Sequence, residues 1–131
     1  MTTDEGGDEA GEGRAQVLLT SGAEADLGGI YRRRLAQRGT GGDDGAEALL
    51  DRLVAAIESL ADWPQRGPVP PELEALGIRL YRQLSVRPYR VIYLPEPADA
   101  QRDMPRVTVM LVADARRDFR TLLEERLLRG T

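Results

Sequence analysis

Cations able to grip a carboxylate or a phosphate are concentrated in two places in this 131-residue chain. Arg79, Arg82, Arg87 and Arg90 crowd the run Ile78 to Leu94 (IRLYRQLSVRPYRVIYL), and Arg116, Arg117 and Arg120 follow a second run, Val107 to Ala113 (VTVMLVA). All eighteen basic residues are arginine. The planar guanidinium fork meets a carboxylate or phosphate with two parallel hydrogen bonds. Singly, each arginine has a plain use as the partner of Asp114, Asp118, Glu124 or Glu125. As a cluster, Arg79, Arg82, Arg90, Arg116, Arg117 and Arg120, with Tyr81 among them, are the candidate partner-binding residues, a cationic surface for an acidic protein or for phosphates. Tyr81, Tyr89 and Tyr93 can stack on bases, although half-buried sheet positions are the commoner use of such tyrosines. The chain has no histidine and no cysteine, which excludes imidazole bases, thiol nucleophiles, disulfides and nearly all zinc chemistry. The acids show no metal-ligand spacing, and GTGGDDG at 39–45 lacks the lysine and hydroxyl of a phosphate-binding loop. No metal or cofactor is expected, and no catalytic residue is assigned.

The elements that must position these residues can be read from periodicity. In 78–86, Ile78, Leu80, Leu84 and Val86 share one side of a strand, and Tyr89 to Leu94 is rich in β-branched and aromatic residues. The residues between them, Ser85 to Pro88, are short enough for a hairpin turn. Val107 to Ala113 is apolar on both sides and therefore reads as a central strand. Ahead of these, Ala15 to Thr20 is a short first strand. Ser21 and Glu24 give a capping-box pattern for a helix with Leu27, Ile30, Tyr31 and Leu35 on one face. Gly28 and Gly29 weaken that helix, and Arg32 to Arg34 are spread around it as a solvated face. Asp44 reads as the N-cap of a second helix, whose stripe Leu49, Leu50, Leu53, Val54, Ile57 and Leu60 is the most regular in the chain. It ends before Pro64, with Trp63 as a core plug at the exit. PQRGPVPP at 64–71 is a stiff connector, 94–105 a polar loop, and Asp114 the expected cap of a last helix running to Leu128 with Phe119, Leu122, Leu123 and Leu127 on one face.

Residues 1–13 carry five acids and no base, so the remainder holds eighteen bases against seventeen acids. With no large apolar side chain beyond Met1, this stretch reads as a disordered acidic tail before a single domain over 14–131. By charge it would cover the arginine cluster as a weak internal inhibitor, and deleting residues 2–13 would then strengthen binding of anionic partners at low salt. No apolar run is long enough to span a membrane, and the N-terminus lacks the layout of a signal peptide, which implies a cytoplasmic protein.

The order of elements and four stretches of sequence resemble the RelE/ParE toxins of type II toxin-antitoxin systems. They are VLLTSGAEADLGGIYRR at 17–33, LLDRLVAAIESLADWPQRG at 49–67, RQLSVRPYRVIYL at 82–94 and VTVMLVADARRDFRTLL at 107–123. The resemblance implies an α+β fold: a twisted, mostly antiparallel sheet of about four strands, with an N-terminal αα-hairpin packed on one face and a C-terminal helix. It also implies a growth-inhibiting toxin neutralised by a cognate antitoxin. RelE-like members cut mRNA on the ribosome, whereas ParE-like members inhibit DNA gyrase without cleavage.

RNA cleavage through the 2′-OH needs a proton acceptor, a proton donor and cations for the developing phosphate charge. Here Ser85 stands at the hairpin position and Asp114 and Ala115 at the strand end, where related nucleases carry histidine, arginine or other such groups. Only carboxylates such as Glu58 or Asp114, with Tyr81, Tyr89 or Tyr93, could move a proton. The sequence therefore reads as a ParE-like toxin that binds a protein target such as DNA gyrase. A RelE-like ribosome-dependent mRNA endoribonuclease is the alternative, and a non-toxic binding module the second.

Overall fold

The structure, a computed structural model, describes residues 14–129. The expectations for the acidic tail fall outside those residues. The chain runs β1 (Gln16–Leu19), α1 (Ser21–Arg38), α2 (Ala46–Glu58), a short α3 (Pro71–Glu74), then β2 (Arg82–Val86), β3 (Tyr89–Glu96), β4 (Arg106–Asp114) and α4 (Phe119–Leu123), which continues as a π-helical turn over Glu124–Leu128. The sheet order is β1-β4-β3-β2. β2, β3 and β4 are antiparallel, and β1 joins β4 in parallel at one edge. This is the expected α+β arrangement.

Two apolar clusters hold the layers together, one on each face of the sheet. The α1–α2 hairpin contributes Ile30, Leu49, Leu53 and Ile57, which pack on Val91, Tyr93, Val107, Val109 and Val112. On the other face Phe119, Leu122 and Leu123 of α4 cover Ile92, Leu111 and Ala113 together with Leu73 of α3. A bulge sets which β4 residue faces which layer: Ile92 pairs with Leu111 but Tyr93 with Val109, so Met110 is extra. The extra residue re-phases the alternation. Val109 and Val112 therefore face the same helices, and the run is apolar on both sides because both sides are covered.

Local details depart from expectation where a competing polar group was available. The cap of α1 is Thr20, not Ser21: its side chain accepts a hydrogen bond from the Ala23 amide at 3.0 Å. Asp44 does not cap α2, whose N-cap is Gly45 without a side-chain bond. The Asp44 carboxylate is taken instead by Arg34 at 3.3 Å and by Arg38, both on α1. Asp114 likewise ends β4 rather than opening a helix to Leu128. The cap of α4 is Asp118, whose carboxylate accepts from the Thr121 amide at 3.2 Å.

Two apolar assignments also change. Trp63 is not a core plug; it is 65% exposed, while Leu60 is fully buried in its place. A 3-10 turn at Ser59–Ala61 ends α2 and alters the angular step, which turns Trp63 outward. The hairpin's first strand is only Arg82–Val86, so the row Ile78, Leu80, Leu84, Val86 does not form, and Leu80 is 67% exposed. Beside β2 the edge is met by the proline-rich connector: the Gln83 amide donates to the Pro68 carbonyl at 2.9 Å. Gly67 makes this approach possible, since a Cβ there would lie 1.8 Å from the Gln83 carbonyl oxygen.

Candidate functional site: a cationic cleft between the first helix and the last strand

β1 stops at Leu19, opposite Val109, whereas β4 continues to Asp114. The last part of β4 therefore has one edge uncovered by a strand. An edge of this kind needs other partners for its backbone groups, and side chains supply them, the Thr20 hydroxyl donating to the Met110 carbonyl at 3.4 Å. Asp26 of α1 accepts from the Val112 amide at 2.9 Å, and Arg126 donates to the Met110 carbonyl at the bulge at 3.1 Å. The two side chains also pair with each other through both oxygens, at 3.1 and 3.0 Å. The link ties the C-terminal segment to α1 across the sheet edge. Gly22 leaves room for it, because a Cβ there would sit 2.7 Å from the Arg126 guanidinium.

Above this pair lies a cleft of about 760 Å³, walled by Gly29 and Arg33 of α1 on one side and by Arg116 and Arg117 on the other. Five arginines line it (Arg33, Arg34, Arg116, Arg117, Arg126) against two carboxylates, Asp26 and Asp114. Both carboxylates are engaged. Asp114 accepts from Arg116 Nε at 2.9 Å, from Nη2 at 2.6 Å and from the Arg116 amide at 2.9 Å. The Arg116 side chain first, and its amide second, lower the Asp114 carboxyl to about 2. The same contact raises Arg116 above its ordinary value. Arg34 is turned to Asp44. Arg33 and Arg117 are exposed and have no ion-pair partner among the described residues.

The structure divides the predicted site residues. Arg116 and Arg117 line the cleft; the others do not. The Arg90 side chain is 12% exposed. It meets Glu72 of α3 through both terminal nitrogens at 2.9 and 2.8 Å, binds Gln83 through Nε at 2.9 Å and lies over the Phe119 ring at 3.9 Å. Arg82 donates to the Gly67 carbonyl at 2.9 Å. Arg79 pairs with Glu74 at 3.0 Å on the surface. Tyr81 packs beside the second core cluster, and Arg120 is exposed at the start of α4. Of the remaining tyrosines, Tyr93 is buried with its hydroxyl accepting from the Gly67 amide at 2.9 Å, and burial raises its pKa. Tyr89 is buried against the cleft floor. Glu58 is exposed at the end of α2, away from the cleft.

Sequence reasoning missed Asp26, Arg33 and Arg126. A signal for two of them was present: on a helix with 3.6 residues per turn, positions 26, 29 and 33 fall on one side. That side carries an acid, a glycine and an arginine. Among the described residues no group of three or more acids could hold a metal ion, and no helix is long and apolar enough to cross a membrane.

The model of the family described as "ParE toxin of type II toxin-antitoxin system, parDE" matches residues 17–119. No curated protein matches the chain in sequence. Among solved structures, the chain is similar to one of the "Chromosomal ParDE TA system from P. aeruginosa", with a TM-score of 0.56 and 16% identity over 77% of this chain and 96% of that one. At that identity the likeness is one of fold.

Proposed function

The chain belongs to the ParE toxin family of type II toxin-antitoxin systems, and from that premise we propose that it arrests growth by binding a protein target such as DNA gyrase and is neutralised by a cognate antitoxin. Such a target would place it in the cytoplasm. The observation that carries this reading is the cleft: arginines surround it, and both of its carboxylates are already engaged. Its carboxylates are tied to Arg116 and Arg126, with Asp114 lowered to about 2. A carboxylate so stabilised is a poor general base at neutral pH. Of the candidate proton carriers, Glu58, Tyr81 and Tyr93 lie outside the cleft, and Tyr89, which lines it, is 9% exposed and belongs to the core. Cations without a base suit recognition rather than cleavage of RNA.

The test is to induce the protein in bacteria lacking the antitoxin, then to assay gyrase supercoiling and ribosome-bound mRNA in extracts. Growth arrest with loss of supercoiling and intact mRNA is the expected result. Cleaved mRNA with normal supercoiling would replace this reading with ribosome-dependent cleavage. Normal growth with neither effect would leave a non-toxic binding module.

A further inference from the structure

We infer that the cleft between α1 and the end of β4 is a binding site for a short polyphosphate chain, free or carried by a nucleoside. Charge sets the sign and size of the ligand. Five arginines line the cleft against two carboxylates, which leaves three positive charges over. Linked phosphates carry about one negative charge each, so a chain of three matches that excess. Arg33 and Arg117, on opposite walls, are exposed without ion-pair partners among the described residues. Arg34 can join them. Its side chain is 15% exposed, and its partner Asp44 is also held by Arg38, so turning Arg34 into the cleft strands no carboxylate.

Geometry favours phosphate over carboxylate. The two oxygens of a carboxylate lie in one plane and suit a single arginine fork, whereas a phosphate group directs its acceptor oxygens several ways. Arginines that converge from two walls can therefore share one phosphate and leave the next to another fork. Gly29 keeps the α1 wall clear for this, since the Arg33 guanidinium lies back over it, 3.4 Å from where a Cβ would stand. A base has little to rest on. Recognition of bases uses aromatic faces on which they stack, and the aromatic lining residue, Tyr89, is 9% exposed and belongs to the core. Leu111, Val112 and Leu122 make the rest of the floor aliphatic, so recognition rests on the phosphates.

The experiment is calorimetric titration of the full chain with sodium tripolyphosphate at low salt, beside inorganic phosphate, ATP and a short single-stranded RNA. Tripolyphosphate should bind with saturation and at least about tenfold more tightly than inorganic phosphate, with ATP within about threefold of it. The tighter of those two names the source of the chain. Arg33→Gln/Arg117→Gln should weaken tripolyphosphate binding by about tenfold, the scale of two modest ion pairs. Arg52→Gln/Arg66→Gln, which removes equal charge from exposed positions outside the cleft, should leave it unchanged. Backbone amide shifts of the unaltered chain on adding tripolyphosphate locate the site without any variant, and should be largest at Gly29, Arg33 and Arg117. Absence of saturable tripolyphosphate binding would overturn the inference, as would equal weakening by both double variants or amide shifts centred elsewhere. Inorganic phosphate bound as tightly as tripolyphosphate would reduce the site to one for a single anion and overturn it too. So would binding of ATP or RNA without tripolyphosphate, by giving recognition to a base or to a nucleic acid. The titration reads binding alone, so its outcome is separate from that of the growth and supercoiling assays.

Discussion

Arg90 separates a structural arginine from a recognition arginine, and the difference can be measured. Its guanidinium reaches Glu72 with two bonds of 2.9 and 2.8 Å, binds Gln83 at 2.9 Å and covers Phe119 at 3.9 Å. It thereby joins α3, the hairpin and α4. Arg90→Met keeps length and removes charge and donors, leaving the Glu72 carboxylate without its partner. Removing one member of a buried pair costs about 3–5 kcal/mol. Glu72 is 27% exposed, so water recovers part of that, and about 2 kcal/mol remains. Loss of the cation–π contact adds about 0.5–1 kcal/mol. The expected total of about 3 kcal/mol should appear in urea unfolding as a lower midpoint at constant slope, and as a fall of about 10 °C in Tm. Arg90→Met/Glu72→Leu should recover much of the loss, because an apolar pair of similar volume is often neutral. The pH dependence has a fixed sign. Arg90 lowers Glu72 from its ordinary 4.5, so the pair's contribution is complete above that value and is lost as pH falls through the lower folded-state value. The gap between wild type and Arg90→Met should therefore narrow on acidification. A loss under about 1 kcal/mol, or single effects that simply add in the double variant, would refute the reasoning.

Three further outcomes follow from close contacts elsewhere. Gly67→Ala places a Cβ 1.8 Å from the Gln83 carbonyl oxygen and 3.1 Å from the Tyr93 hydroxyl, and since backbone must move, a loss above about 3 kcal/mol is expected in thermal unfolding. Gly29→Ala meets only the end of a flexible side chain at 3.4 Å, so it should stabilise the helix by about 0.5–1 kcal/mol in the same assay. Asp114 should titrate near 2 by carbon-detected NMR, and Arg116→Gln should return its midpoint toward the ordinary 3.8. With its folded value lowered, the stability that Asp114 contributes is present above 3.8 and lost as pH falls through about 2.

How much of this was legible beforehand depended on range. Periodicity found β3, β4 and the stripe of α2, because alternation and helical spacing are properties of neighbouring residues. The bulge at Met110 left only the run's two-sided apolarity as a trace. The first cap was misplaced by one residue, since Thr20 and Ser21 are equivalent in type and only the extended backbone at Thr20 decides between them. Leu80 failed because a strand needs a partner: the β2–β3 ladder starts only at Arg82.

The arginines show the same limit in sharper form. In a chain whose only cation is arginine, one residue type both fastens elements together and faces partners, and composition cannot separate the two uses. The nearest acid in sequence does not separate them either. Arg90 pairs with Glu72 eighteen positions away and Arg126 with Asp26 a hundred positions away, while Arg116 takes Asp114 two positions away. Whether an arginine is left for a partner follows from topology, that is, from which carboxylates and carbonyls the fold brings within reach. On that criterion Arg82 and Arg90, the most conspicuous cations of the hairpin, are engaged within the fold, whereas Arg33, which reads as solvated in sequence, stands on the wall of the cleft with Arg117 opposite. The short β1 is what creates this division. By ending at Leu19 it leaves the end of β4 to be closed by Asp26 and Arg126, and the space a further length of strand would fill becomes the cleft.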